Sequence, residues 1–183
     1  MPRFISEFTF HTDMVKGLKQ NSAPLVISFE VTESVADTFT QAQIAMQLNV
    51  LDREVMVVTG VNLDVGTPNA LAGIDTTVQG SLSTTSRTTI GRLSDSNVVA
   101  VAQDSIRAAG FIDAGVGFSS SFGESPAPGM EYLNIIATND FFIQIQGANN
   151  GGVKPMRGKL YCYRAIADAS TFAALVQSEL LSA

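Results

Sequence analysis

The segment Leu25-Val26-Ile27-Ser28-Phe29-Glu30-Val31-Thr32 decides the fold class. Leu25, Ile27, Phe29 and Val31 share one face at period two, while Ser28, Glu30 and Thr32 follow Val26 on the other. Successive side chains of an extended backbone point to opposite sides, so this alternation is a half-buried strand. Residues 55–65 repeat it, with Val55, Val57, Val61, Leu63 and Val65 set against Met56, Val58, Asn62 and Asp64. A strand with that pattern begins buried on both faces and ends wet on one.

Further strands are expected at 131–137 and 141–146, separated by the turn Thr138-Asn139-Asp140. Phe141, Ile143 and Ile145 alternate with Gln144 and Gln146, and after the Gly- and Asn-rich stretch 147–152 the chain returns through residues 157–164. These two runs are expected to form an antiparallel hairpin with a longer loop. Residues 38–48 and 74–85 are weaker candidates, favoured by Thr, Val and Ile.

Two segments show helical spacing instead. In 97–109, Val98, Val101, Ala102, Ser105, Ile106 and Ala109 suggest a short internal helix ending at Gly110, although the β-branched valines leave an extended form open. In 170–181, Phe172, Leu175, Val176 and Leu180 form an apolar stripe behind the caps Asp168 and Ser170. No helices of the kind a parallel α/β sheet needs lie between the strands. The reading is all-β: one antiparallel sandwich or barrel, with an N-terminal arm over 1–22, the β-sandwich over 23–167 and an amphipathic helix over 168–183.

The chain has 183 residues, enough for one domain with its own core, and 45% of them are hydrophobic. Charged residues are only 15%, against roughly 25% in ordinary soluble domains. A net charge of −6 argues against a general nucleic-acid or anionic-membrane binder. No secretory leader or membrane span is apparent, which leads to the expectation of synthesis in a cytoplasm.

Candidate chemistry is sparse. The single histidine, His11, stands beside Asp13 in the arm and reads as a surface or interface residue. The single cysteine, Cys162, alternates with Tyr161 and Tyr163 and reads as a small buried hydrophobe. Asp52 and Glu54 have the i, i+2 spacing of paired carboxylates, which is also common at solvated strand ends. Gly115-Val116-Gly117 and the glycines of 147–152 match no phosphate-loop spacing. Lys154, Arg157, Lys159 and Arg164 cluster late in the chain, and an inter-subunit ion-pair strip suits them better than a nucleic-acid platform. The expectation is therefore no enzyme activity, no catalytic residues, no cofactor, no metal and no small-molecule substrate.

Scarce charge, with Ser, Thr, Asn and Gln taking over the polar surface, suits faces buried against identical neighbours, where each charge would need a partner. The aromatic arm and the terminal helix each present apolar area to be covered. An assembly protein is expected, with Phe4, Phe8, Phe10, Arg157, Arg164, Phe172, Leu175 and Leu180 as interface candidates.

With its arm, roughly eight Thr/Val-rich strands, long Ser/Thr/Gly loops and late hairpin from Phe141–Gly147 to Leu160–Tyr163, the chain resembles single jelly-roll viral capsid proteins. The nearest type is the small major capsid protein of tailless, membrane-containing phages and archaeal viruses. The likeness spans most of the chain and is one of pattern and composition. It implies a jelly roll, a virion location, partners that are copies of itself and other capsid proteins, and a shell that either encloses a membrane or leaves genome packaging to other proteins. The chain departs from many small coat proteins in lacking an Arg/Lys-rich arm, so direct nucleic-acid binding is not expected. A carbohydrate-binding, lectin-like β-sandwich is the alternative, with the absence of Trp against it.

Overall fold

A computed structural model of the chain describes residues 17–108, 110, 115–120 and 123–181. His11 and the arm candidates Phe4, Phe8 and Phe10 lie outside the described residues. The strands are β1 (Leu18–Gln20), β2 (Leu25–Thr32), β3 (Thr40–Ala45), β4 (Glu54–Val65), β5 (Thr76–Ser83), β6 (Val98–Arg107), β7 (Val116–Ser119), β8 (Asn134–Ile136), β9 (Asp140–Ala148) and β10 (Pro155–Ala167). A 3-10 turn at Val50–Asp52 precedes β4, and helix α1 spans Ala169–Leu181.

The strands form two five-stranded antiparallel sheets. In the first, β10 lies between β4 and an edge shared by β2 and β1, and β8 closes the far side of β4. The second runs β3-β9-β5-β6-β7. Without the additions β1 and β7, the orders are β2-β10-β4-β8 and β3-β9-β5-β6. Numbered by chain position, those eight strands read 1-8-3-6 and 2-7-4-5, the double Greek key of a jelly roll.

The core lies between the sheets. Phe29, Val31, Val61, Leu63, Ile143, Ile145 and Leu160 are buried there, around Phe141, whose ring meets Phe29 edge-on at 5.7 Å. Gly158 is opposite Phe29 in the ladder, and a Cβ there would lie 2.5 Å from the Phe29 ring, so the missing side chain is what lets the ring lie flat across β10. On the other side of the first sheet, Val55, Val57, Ile135, Ala165 and Ala167 form a second apolar layer, covered by Phe172, Leu175 and Val176 of α1. This is why β4 is buried on both faces at its start and alternates at its end, as its sequence predicts.

Two expectations are corrected. Residues 98–107 form strand β6 and not a helix. Ala100 and Ala102 face the core, and pairing with both β5 and β7 satisfies the backbone, so sheet contacts and the valines' strand preference override helical spacing. The runs at 141–146 and 157–164 are not a hairpin either: β9 pairs with β3 and β5, whereas β10 pairs with β1, β2 and β4. The connection crosses from one sheet to the other. It is held by the buried carboxylate of Glu33, which accepts from the N–H of Gly147 (2.6 Å) and of Lys154 (2.9 Å). Asn150 braces the same corner, donating to Thr77 O (2.9 Å) and accepting from Asn69 N–H (3.0 Å).

Candidate functional site

The sequence-derived candidates fall into separate environments. Arg164 belongs to an internal clamp. Its guanidinium donates to Glu54 Oε2 (3.0 Å) and to the carbonyl of Met46 (2.9 Å), while Glu54 also accepts from Asn49 N–H (2.9 Å) and Asn21 Nδ2 (2.9 Å). Burial alone would raise the Glu54 pKa, but these hydrogen bonds and the Arg164 charge outweigh it and hold the carboxyl below its ordinary value. The clamp ties the chain before β2, the β3–β4 connection and β10 into one corner. Asp52 takes no part in it; it accepts from Asn49 Nδ2 at 2.5 Å in the 3-10 turn. The two carboxylates therefore have different jobs and form no acid–base pair.

Arg157 lies on the outer face of the first sheet and pairs with Glu30 at 3.1 Å, both well exposed. Lys154 is occupied at the sheet-crossing corner, donating to Thr67 O (2.8 Å) and Asn69 Oδ1 (2.6 Å). Lys159, two positions beyond Arg157 along β10, is exposed on the same face as Arg157, so the late cations are spread over three locations and make no continuous positive strip. Cys162 is buried, and burial pushes its thiol up to about 11 against the opposing pull of Arg164. Such a thiol stays protonated and unreactive at neutral pH.

Helix α1 begins at Asp168, whose carboxylate accepts from Thr171 N–H (2.7 Å) and Ser170 Oγ (2.8 Å). Gly17, at φ +90°, packs against this cap, and a side chain there would collide with Thr171 Oγ1 at 2.6 Å. Phe172, Leu175 and Val176 dock on the first sheet, but the next position of the stripe is Glu179, not Leu180. Leu180 is 71% exposed and Leu181 79%. Glu179 is buried, with Oε1 accepting from Ala137 N–H (3.0 Å) and Oε2 left without a partner.

Burial raises the Glu179 pKa, assisted by the Asp140 charge and opposed by hydrogen bonding from Ala137 and Thr138. A raised folded pKa gives stability that is full below the unfolded value and is lost as pH rises through the folded one. Glu179→Gln keeps the acceptor for Ala137 and removes the charge. It is expected to raise stability at pH 7–8 by on the order of 1 kcal/mol, with the gain vanishing near pH 4, as urea melts at the two pH values would show.

The outer face of the second sheet is a neutral polar layer that sequence reasoning missed. Strand alternation sets Gln41, Gln144, Ser81 and Ser83 on this face, and Gln146, Gln79 and Gln103 in an adjacent row. Gln144 is fully buried: Ser81 Oγ donates to its oxygen (2.7 Å), and its nitrogen donates to Ser83 Oγ (2.7 Å) and Gln41 Oε1 (3.1 Å). The connection between β5 and β6, residues 84–97, folds back over this layer. Gly91 N–H donates to Ser81 Oγ (3.0 Å) and Arg87 N–H to Gln41 Oε1 (2.8 Å). The Arg87 guanidinium pairs with Asp95 (2.6 Å) and bonds Asn97 Oδ1 (2.7 Å).

Between this loop and the second row lies a cavity of about 860 Å³, lined among others by Gln79, Gln103, Gln146, Arg92, Leu93 and Ser94. The alternation of Gln144 and Gln146 along β9 is visible in the sequence; the cavity requires the loop to fold back. Among the described residues, no group of three His, Cys, Asp or Glu side chains could hold a metal ion. No described helix is long and apolar enough to cross a membrane.

No family model matches the chain, and no curated protein matches it in sequence. Among solved structures it is similar to Merkel cell polyomavirus VP1, as an unassembled pentamer, at 6% identity over 82% of this chain and 99% of that one, with a TM-score of 0.44. Apo chimpanzee polyomavirus VP1 follows at 7% identity, 84% and 100% coverage and a TM-score of 0.38. Desmodium yellow mottle tymovirus gives 12% identity, 82% and 93% coverage and a TM-score of 0.30. The jelly-roll assignment stands on the strand order itself.

Proposed function

We propose that the chain is a structural subunit of a viral shell, built from many copies of a single jelly roll. The carrying observation is the edge of the second sheet. Strand β7 pairs with β6 on one side only among the described residues, and Val116 (49% exposed) and Phe118 (58% exposed) lie open on it. Proteins that work alone blunt such edges with charge, Pro or a covering loop, because an open strand is a template for another chain. The charge-poor composition agrees, since neutral polar surface is cheaper to bury against a neighbour than charge. Jelly rolls serve as capsid and lectin domains and as cupins. An interior filled by Phe141, Ile143, Ile145 and Leu160 leaves this sandwich no central ligand site of the cupin kind.

The finer reading is a capsid protein of tailless, membrane-containing phages or archaeal viruses, made in the host cytoplasm and placed in the virion. It would assemble through the 1–10 arm, β7 and the Leu180 end of α1, beside other capsid proteins and over an inner membrane. Phe172 and Leu175, docked on their own sheet, would hold the helix in position for those contacts. Arg157, exposed beside Glu30, is free to exchange partners across an interface.

Full-length protein should sediment as multimers and show a repeating lattice by negative-stain microscopy. Phe118→Lys combined with Leu180→Glu should shift it toward monomer while the melting temperature changes by only about 2 °C. Removing residues 1–10 should weaken assembly more than the fold. Protein that stays strictly monomeric at high concentration, and is absent from any particle lattice, would sink the reading.

A further inference from the structure

We propose that the cavity between the glutamine row and the 84–97 loop is a glycan-binding site, independent of the assembly reading. Its volume of about 860 Å³ lies within the roughly 300–1,000 Å³ of small-ligand sites. The floor is a row of amides, Gln146, Gln79 and Gln103, held in register on three adjacent strands. Each primary amide offers a donor and an acceptor side by side, which matches adjacent sugar hydroxyls, themselves both donors and acceptors. The row is preorganised: Gln79 Nε2 donates to Gln103 Oε1 at 2.9 Å, which leaves the Gln79 oxygen and the Gln103 nitrogen to face a ligand. Ser94 and Ser120 add hydroxyls, while Val101, Ile90 and Leu93 supply apolar patches for the C–H faces of a sugar ring.

Charge separates this ligand class from the others. Arg87 is neutralised by Asp95, so Arg92 is the remaining cation on the lining. One guanidinium can bind vicinal hydroxyls or a sugar carboxylate, but it is too little for a nucleic-acid track, which needs a basic groove with stacking aromatics. An added peptide strand would need a sheet edge, whereas the cavity lies on a sheet face. The wall is fixed to the sheet by the Gly91–Ser81 and Arg87–Gln41 contacts and braced within itself by Arg87, Asp95 and Asn97, so a ligand would meet a largely formed site.

Labelled full-length protein on a glycan array should select a related set of saccharides. The best of them, added as a free oligosaccharide to 15N-labelled protein, should shift the side-chain amide resonances of Gln79, Gln103 and Gln146. Gln146→Leu, or Arg92→Ala on the exposed loop, should weaken binding about tenfold or more while the rest of the spectrum is retained. A stronger effect of Arg92→Ala on uronate-bearing than on neutral glycans would place a sugar carboxylate at Arg92, and equal effects would place hydroxyls there; each supports the site. No array binding, or binding that persists unchanged in both folded variants, would overturn it.

Discussion

Arg164→Ala is expected to destabilise the fold by about 1.5–3 kcal/mol, the loss typical of removing charge-assisted hydrogen bonds from a part-buried ion pair. The substitution leaves the buried Glu54 carboxylate without its cation and the Met46 carbonyl without its donor. The pH dependence gives the assignment its sharper test. In the native protein the depressed Glu54 pKa contributes stability that is present above the ordinary carboxylate pKa and lost as pH falls through the folded value. Without Arg164, its charge and its hydrogen bond no longer help Asn49 and Asn21 to oppose burial, and Glu54 takes up a proton more readily, so the cost should be largest at pH 7 and shrink toward pH 4. Glu54→Leu combined with Arg164→Met should recover most of the loss, because an apolar pair of similar volume needs no partner. Chemical denaturation of the three proteins at both pH values decides it; a cost under about 1 kcal/mol at pH 7 would show that the pair behaves as a surface salt bridge.

Phe141→Ala should cost about 3–5 kcal/mol, lowering the melting temperature by roughly 10 °C for a domain of this size. Phe141 is fully buried between the sheets, and its edge-on contact with Phe29 joins β9 of one sheet to β2 of the other. Side chains in a close-packed interior relax only partly into a cavity, so the lost ring is not replaced. A double-mutant cycle with Phe29→Leu should return a coupling of about 0.5–1.5 kcal/mol. Additive losses would mean that the two rings only share a neighbourhood.

Legibility in the sequence followed the range of the interactions. The core faces of β2, β4 and β9, and the inward position of Cys162, were readable because alternation at period two is local. The helix near 170–181 was readable from its cap and spacing, but the fourth contact of its stripe was not. Glu179 is held against the sheet by Ala137, 42 residues away in the chain, while the more apolar Leu180 faces outward. The 98–107 strand carried helical spacing, and its place between β5 and β7, together with the strand preference of its valines, made it extended. In the candidate cavity, each glutamine was visible as the polar half of an alternation, but the loop that turns the row into a cavity closes through side chains on β3, β5 and β9.

What the sequence by itself determined is the class: an all-β chain with few charges, a terminal amphipathic helix and no local motif for catalysis. Propensity and periodicity reach only a few residues along the chain, and those properties need no more. Tertiary structure alone decided which strands are neighbours. The turn after β9 has the residues of a hairpin, yet Glu33, more than 110 residues earlier, binds Gly147 and Lys154 and sends β10 into the other sheet. A buried carboxylate must find donors wherever the fold can supply them, and that requirement acts through space and leaves no local trace in the sequence.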